Sequence, residues 1–203
     1  MTPNRRYVLA GLALVAILAA HGFDEWAYRT LPWPAAGDRD WGRLLRVLGF
    51  APTWLVIALA FWLEGRGRSN PADRRAVVSA KSVVVAVLIG GVVSELVKLV
   101  IRRERPNLND GIYQFRTFGD DPFNSSPLGM PSGHTMVAFS GAGALSRRFP
   151  RAAPIILALA AGCGLTRLFA QAHFLSDVVA GAIGGGWLGW VVAGRIAASE
   201  TAT

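Results

Sequence analysis

Apolar runs separated by short polar connections recur along the whole chain, and they limit the fold more than any other feature. Six are present, at about 7–23, 46–63, 77–101, 132–147, 153–169 and 177–196. A helix satisfies its own backbone polar groups, which is the condition for crossing a lipid bilayer. Several runs are shorter than the ~20 residues that span the hydrocarbon core untilted, which a compact bundle accommodates. Residues that are 52% hydrophobic and only 17% charged are too apolar for an ordinary soluble domain. The expected fold is an all-α, polytopic membrane protein, a six-transmembrane-helix bundle forming a single membrane-embedded domain over residues 1–203.

The first run, preceded by Arg5 and Arg6, has the outline of a signal peptide ending near Ala20-His21-Gly22. Its apolar stretch is long for a signal and that tripeptide is a mediocre cleavage site, so an uncleaved helix is expected. Basic residues orient the bundle. Arg5 and Arg6, then Arg66, Arg68, Arg74 and Arg75, then Arg147, Arg148 and Arg151 alternate so as to share the cytoplasmic side, which also receives both termini. Trp26, Trp33 and Trp41 in the first outer loop suit a membrane interface. Arg102, Arg103 and Arg105 fall on the outer side against the bias, and an anionic ligand would account for them. The net charge of +8 comes from such short clusters and forms no long basic face, which argues against nucleic acid as a partner. A lone cysteine, Cys163, excludes an intrachain disulfide and a cysteine-based metal cluster. Gly181, Gly185 and Gly189 recur every fourth residue in the last run, a spacing that lets helices approach closely.

Three polar clusters meet on the outer side. In "KLVIRRERP", Lys98 and Arg105 stand seven apart, two turns along one helical face, and Pro106 marks where the helix should end. Lys98 lies deep enough to be a functional candidate, with Glu95 its nearest partner by spacing. In "PSGH", Ser132 is placed as an N-cap, and Gly133 lets the backbone approach a ligand. The free amides of such a helix start bind phosphate, and His134 would stand beside it. In "TRLFAQAHFLSD", His173 and Asp177 are four apart; on a helix they face the same way, and the carboxylate would fix the imidazole tautomer. Arg167 offers a fork of donors to a phosphate. Taken singly, each cluster also reads as headgroup-contacting cations, an ordinary helix start, or an ordinary His–Asp pair. Taken together they hold what phosphoryl transfer needs, cations and amides for the phosphoryl oxygens and two histidines.

These residues, in this order, resemble the type 2 phosphatidic acid phosphatase superfamily, whose pattern is Lys-x6-Arg-Pro, Pro-Ser-Gly-His and Ser-Arg-x5-His-x3-Asp. The chain has Lys98-x6-Arg105-Pro106, Pro131-Ser132-Gly133-His134 and Thr166-Arg167-x5-His173-x3-Asp177, with Thr166 where the family usually has serine. The resemblance implies a compact active site at the outer membrane interface. It implies that His173, held by Asp177, attacks phosphorus to give a phosphohistidine, and that His134 protonates the leaving oxygen and then helps water. Lys98, Arg105, Arg167, Ser132, Gly133 and Thr166 would hold the phosphate, with no metal and no other cofactor. The implied substrate is a lipid phosphate or diphosphate, with undecaprenyl diphosphate first and phosphatidylglycerophosphate, phosphatidate and lipid A phosphates after it. The implied setting is a bacterial cytoplasmic membrane, with the site facing the periplasm or exterior. A lipid phosphotransferase and a non-catalytic protein that binds anionic lipid are the alternatives.

Overall fold

The computed structural model describes residues 3–67 and 70–201. Arg68 lies outside the described residues, as do the side chains of Arg5 and Arg6. The described residues form eight α-helices and no β-strand. In order these are α1 (Pro3–Gly22), α2 (Asp24–Thr30), α3 (Asp40–Val47), α4 (Ala51–Gly65), α5 (Pro71–Ile101), α6 (Gly133–Arg148), α7 (Ala153–Phe169) and α8 (Leu175–Thr201). The all-helical expectation therefore holds. By length and composition two helices, α5 and α8, can cross a membrane, or up to four spans exist if the bent pairs α1–α2 and α3–α4 each count as one.

The boundaries depart from the sequence reading in ways that matter for the site. The second run is not one helix: α3 and α4 meet at 72°, with residues 48–50 between them, and Pro52 starts α4 where a missing N–H costs nothing. α5 begins at Pro71, where Asn70 caps it by accepting the Asp73 amide at 2.9 Å. Its 31 residues rise about 46 Å, longer than the hydrocarbon core is thick. The helix does not continue to Pro106. It stops at Ile101 because Arg102 turns left-handed (φ 57°) and its amide closes on Lys98 O at 2.8 Å. Lys98 and Arg105 consequently do not share a helical face.

α6 is the centre of the molecule, buried on almost every side. α8, α5 and α7 pack directly against it; α4 lies outside α5, α3 against α7, and α1 along α8. The expected glycine stripe is the α8 side of the closest contact. A side chain on Gly181 would begin 2.8 Å from Ser132 O, and one on Gly185 or Gly189 would strike the backbone oxygens of Met136 or Ser140. Val83, Val87, Val137, Ala138, Ala142 and Cys163 fill the interior. Large apolar side chains such as Val8, Leu12, Leu55, Leu88, Val92, Leu96, Ile155 and Trp187 stay exposed on the outer helix faces. An apolar exterior of this extent belongs against lipid rather than water.

Candidate active site

A cavity of about 260 Å³ opens where α5, the start of α6 and the α7–α8 connection meet. Its wall includes Lys98 and Arg105 from the first cluster, Gly133 and His134 from the second, and His173 from the third. Residues 75 positions apart, Lys98 and His173, thus share one polar chamber. A larger hollow of about 570 Å³ over the 107–130 loop contains none of the expected site residues.

Lys98 is buried and its Nζ donates to Glu95 Oε1 at 2.6 Å, the partner its spacing suggested. Gly133 is the first residue of α6, and a Cβ there would stand 3.2 Å from Lys98 Nζ and 3.3 Å from Ser94 Oγ. The glycine lets the ammonium group lie against the helix start. Ser132 occupies the N-cap position but caps no amide; its hydroxyl accepts from Thr135 Oγ1 at 3.0 Å. Its own amide donates to Asp177 O at 2.9 Å, which ties the second cluster to the third.

Arg105 reaches the cavity from an extended segment rather than from α5. Burial disfavours its charge, and the carboxylates of Asp177 and Glu95 work in the opposite direction. Arg102 and Arg103 do not line the cavity. Arg102 donates to the carbonyls of Arg116 (3.1 Å), Pro122 (3.1 Å) and Asp120 (2.7 Å), and so holds the 107–130 loop. Arg103 donates to Asp177 and Ser176. Of these three arginines Arg105 is the one that lines the cavity, although its Nε also donates to Leu128 O at 3.4 Å; the other two are engaged away from it.

His173 and Asp177 do not lie on a common helix. His173 precedes α8, whose first residue is Leu175, and Asp177 sits in its first turn. Asp177 Oδ2 accepts the Phe174 amide at 2.8 Å and lies 3.6 Å from His173 Nδ1, an ion-pair separation slightly beyond a hydrogen bond. Among the described residues, His173 Nδ1 is buried without a hydrogen-bond partner, while the ring borders the cavity. Burial outweighs the nearby carboxylate and holds the imidazole below its ordinary value, so it is neutral at pH 7. A neutral ring is the form that can act as nucleophile or base.

Arg167, in the last turn of α7, is buried close enough for its charge to act on both histidines. Its Nε is buried and has no hydrogen-bond partner among the described residues. Thr166 Oγ1 instead donates to Cys163 O in its own helix at 2.7 Å. Among the described residues, no three His, Cys, Asp or Glu side chains are grouped to hold a metal ion.

Two contributions escaped the sequence reading. Gly49, in the α3–α4 break, lines the cavity and has no room for a side chain: a Cβ would lie 2.6 Å from His134 Cβ and 2.9 Å from Cys163 Sγ. Nothing in its local sequence signals this. Asp24 is fully buried behind Asp177, where it accepts from Ser176 and Tyr113. A carboxylate just after an apolar run was the available signal, and the mixed charges of that loop concealed it.

Comparison with known proteins supplies relatives of the chain as a whole. The chain is 28% identical over 168 residues to a protein of Rhizobium etli named Lipid A 1-phosphatase, covering 78% of this chain and 71% of that one. It is 33% identical over 109 residues to a Lipid A 1-phosphatase of Rhizobium johnstonii, covering 53% of this chain and 43% of that one. No solved structure matches the chain. The model of the PAP2 superfamily matches residues 79–199, a segment that contains every cavity residue named above except Gly49. By that match the chain belongs to the PAP2 superfamily, the type 2 phosphatidic acid phosphatases.

Proposed function

We propose that this protein is an integral membrane lipid phosphatase that works through a phosphohistidine, without a metal. The observation that carries the reading is the convergence of Lys98, Arg105, Gly133, His134 and His173 on one cavity. The phosphoryl group occupies that cavity, its oxygens met by Lys98, Arg105, Arg167 and the amides at the start of α6. A lone pair on the neutral His173 ring attacks phosphorus in line. The bond from phosphorus to the lipid oxygen breaks, and that oxygen takes a proton from His134. Water then attacks the phosphohistidine, His134 takes its proton, and inorganic phosphate leaves. Asp177 stabilises the charge that His173 acquires.

The substrate is a lipid phosphate. We rank the 1-phosphate of lipid A ahead of undecaprenyl diphosphate, with phosphatidylglycerophosphate and phosphatidate behind; the names of the two relatives support that order. The six apolar runs act as six spans of one domain, with both termini cytoplasmic and the cavity at the outer interface of a bacterial cytoplasmic membrane. The exposed apolar belt and the alternating arginine clusters support that placement.

The test is phosphate release by purified protein in detergent with excess EDTA, on a panel of these four lipids and a soluble phosphomonoester. Release that persists in EDTA and disappears in His173→Ala is the expected result. Release abolished by EDTA, or retained by His173→Ala, would sink the mechanism. Phosphate found on an added lipid acceptor instead of in solution would identify a phosphotransferase.

A further inference from the structure

Behind His173 lies a buried charge network that none of the three motifs describes. Asp24 and Asp177 are both fully buried, and one guanidinium, Arg103, stands between them with 3% of its surface exposed. Arg103 Nη2 donates to Asp177 Oδ1 and, at 2.8 Å, to Ser176 Oγ; its Nη1 is 3.8 Å from Asp24 Oδ2. The rings of Tyr113 and Phe174 border the guanidinium at 5.3 and 5.0 Å from their centroids. Asp24 Oδ1 accepts the Ser176 amide at 2.7 Å, and its Oδ2 accepts the Ser176 hydroxyl and, at 2.8 Å, the Tyr113 hydroxyl.

Two consequences follow from the geometry. A carboxylate on the amide of Ser176, the second residue of α8, caps that helix from 152 residues away in sequence, where negative charge is favoured. Arg103, occupied with Asp177 Oδ1, leaves Oδ2 as the oxygen that faces His173 Nδ1. Buried carboxylates are tolerated when paired and hydrogen-bonded, and here Arg103 serves both, with His21 Nδ1 also 3.5 Å from Asp24 Oδ2.

We propose that Asp24 and Arg103 are positioning residues of the phosphoryl-transfer site, holding the start of α8 and the Asp177 carboxylate in register with His173. Asp24 lies outside residues 79–199, so the first helices are part of the working enzyme and not only its anchor. The inference rests on the reading that His173 and Asp177 carry the chemistry.

The test uses the full chain in detergent, with kcat and KM for phosphate release from lipid A and from undecaprenyl diphosphate. The variants are Asp24→Asn, Arg103→Lys, Tyr113→Phe, His173→Ala, Asp177→Asn and the double Asp24→Asn/Asp177→Asn. Asp24→Asn keeps an acceptor for Ser176 and removes the charge. It should lower kcat about tenfold or more with KM changed less than about twofold, and Arg103→Lys, which loses the fork, should do the same. On the Asp177→Asn background the further loss from Asp24→Asn should fall below about twofold, because the effect travels through Asp177. Tyr113→Phe, which removes only one bond to Asp24, gives a smaller kcat loss and serves if Asp24→Asn does not fold. Wild-type kcat in Asp24→Asn or Tyr113→Phe beside an inactive His173→Ala overturns the proposal. So does a loss confined to KM, or an equal factor on the Asp177→Asn background. Activity retained by His173→Ala instead overturns the reading of the site itself.

Discussion

Lys98 Nζ and Glu95 Oε1 lie 2.6 Å apart, and both side chains border the cavity that holds the two histidines. The cation expected to hold a phosphate therefore already has an anion on it. Glu95 is also bonded through Oε2 to Ser125 of the 107–130 loop, so it links that loop to the site. An incoming phosphate must compete with Glu95 for the ammonium group. Glu95→Gln should tighten inhibition by inorganic phosphate about two- to fivefold, matching the ~0.2–1 kcal/mol of a part-exposed ion pair. Lys98→Ala should weaken it. Equal inhibition of wild type and Glu95→Gln would mean that the carboxylate is no competitor.

Gly49 sets a steric condition on His134. A methyl group there would lie 2.6 Å from His134 Cβ and 2.8 Å from its Cδ2, closer than side chains tolerate. Cys163 Sγ, 2.9 Å away on the other side, blocks an easy retreat. Gly49→Ala should displace the imidazole and reduce kcat about tenfold or more, with a stability loss of about 1–3 kcal/mol from overpacking. The check is kcat beside thermal unfolding in detergent. Full activity would show that His134 can shift without consequence.

Much of the candidate site was legible because the chemistry proposed for it needs particular residues at fixed intervals. Lys98, Ser132-Gly133-His134 and His173-x3-Asp177 could be named from the chain, and the cavity gathers members of all three clusters. The routes by which they arrive were not legible. Helical periodicity extended α5 to Pro106, whereas Arg102 breaks it at a left-handed residue because its side chain is needed by three loop carbonyls. Periodicity also put His173 on a helix with Asp177, whereas the Phe174 amide caps onto Asp177 and leaves His173 outside. Asp24 and Gly49 act on residues more than eighty positions away, and no local pattern encodes a contact of that kind. Arginine bias grouped Arg102, Arg103 and Arg105 as equals, yet only packing separates the one that lines the cavity from the two that do not.

Thr166 tests whether a motif position keeps its role. Its hydroxyl donates to Cys163 O at 2.7 Å, and the residue is buried behind the cavity. Thr166→Ser preserves that bond and should leave kcat and KM within about twofold of wild type. Thr166→Val keeps the shape and removes the hydroxyl, and should cost stability of about 1 kcal/mol with little change in KM. A large rise in KM in Thr166→Val alone would show that the hydroxyl turns to the phosphate when substrate is bound.

The α6–α8 contact offers a test within one run of glycines. A Cβ on Gly185 would strike Met136 O and stand 3.1 Å from Ser140 N, both backbone atoms of the central helix that cannot move aside singly. A Cβ on Gly186, one residue on, meets only Phe139 Cδ1 at 3.8 Å, which is ordinary contact. Gly185→Ala should therefore force α8 away from α6 and destabilise the protein by about 1–3 kcal/mol. Gly186→Ala should be neutral, or stabilising by up to ~1 kcal/mol, because alanine is the better helix former. α8 also carries Asp177, and Ser132 N donates to Asp177 O, so a separation of the two helices pulls the site apart. Activity should fall with stability in Gly185→Ala and persist in Gly186→Ala. Thermal unfolding and phosphate release on the same preparations decide it: equal behaviour of the two variants would refute close packing as the reason for the stripe.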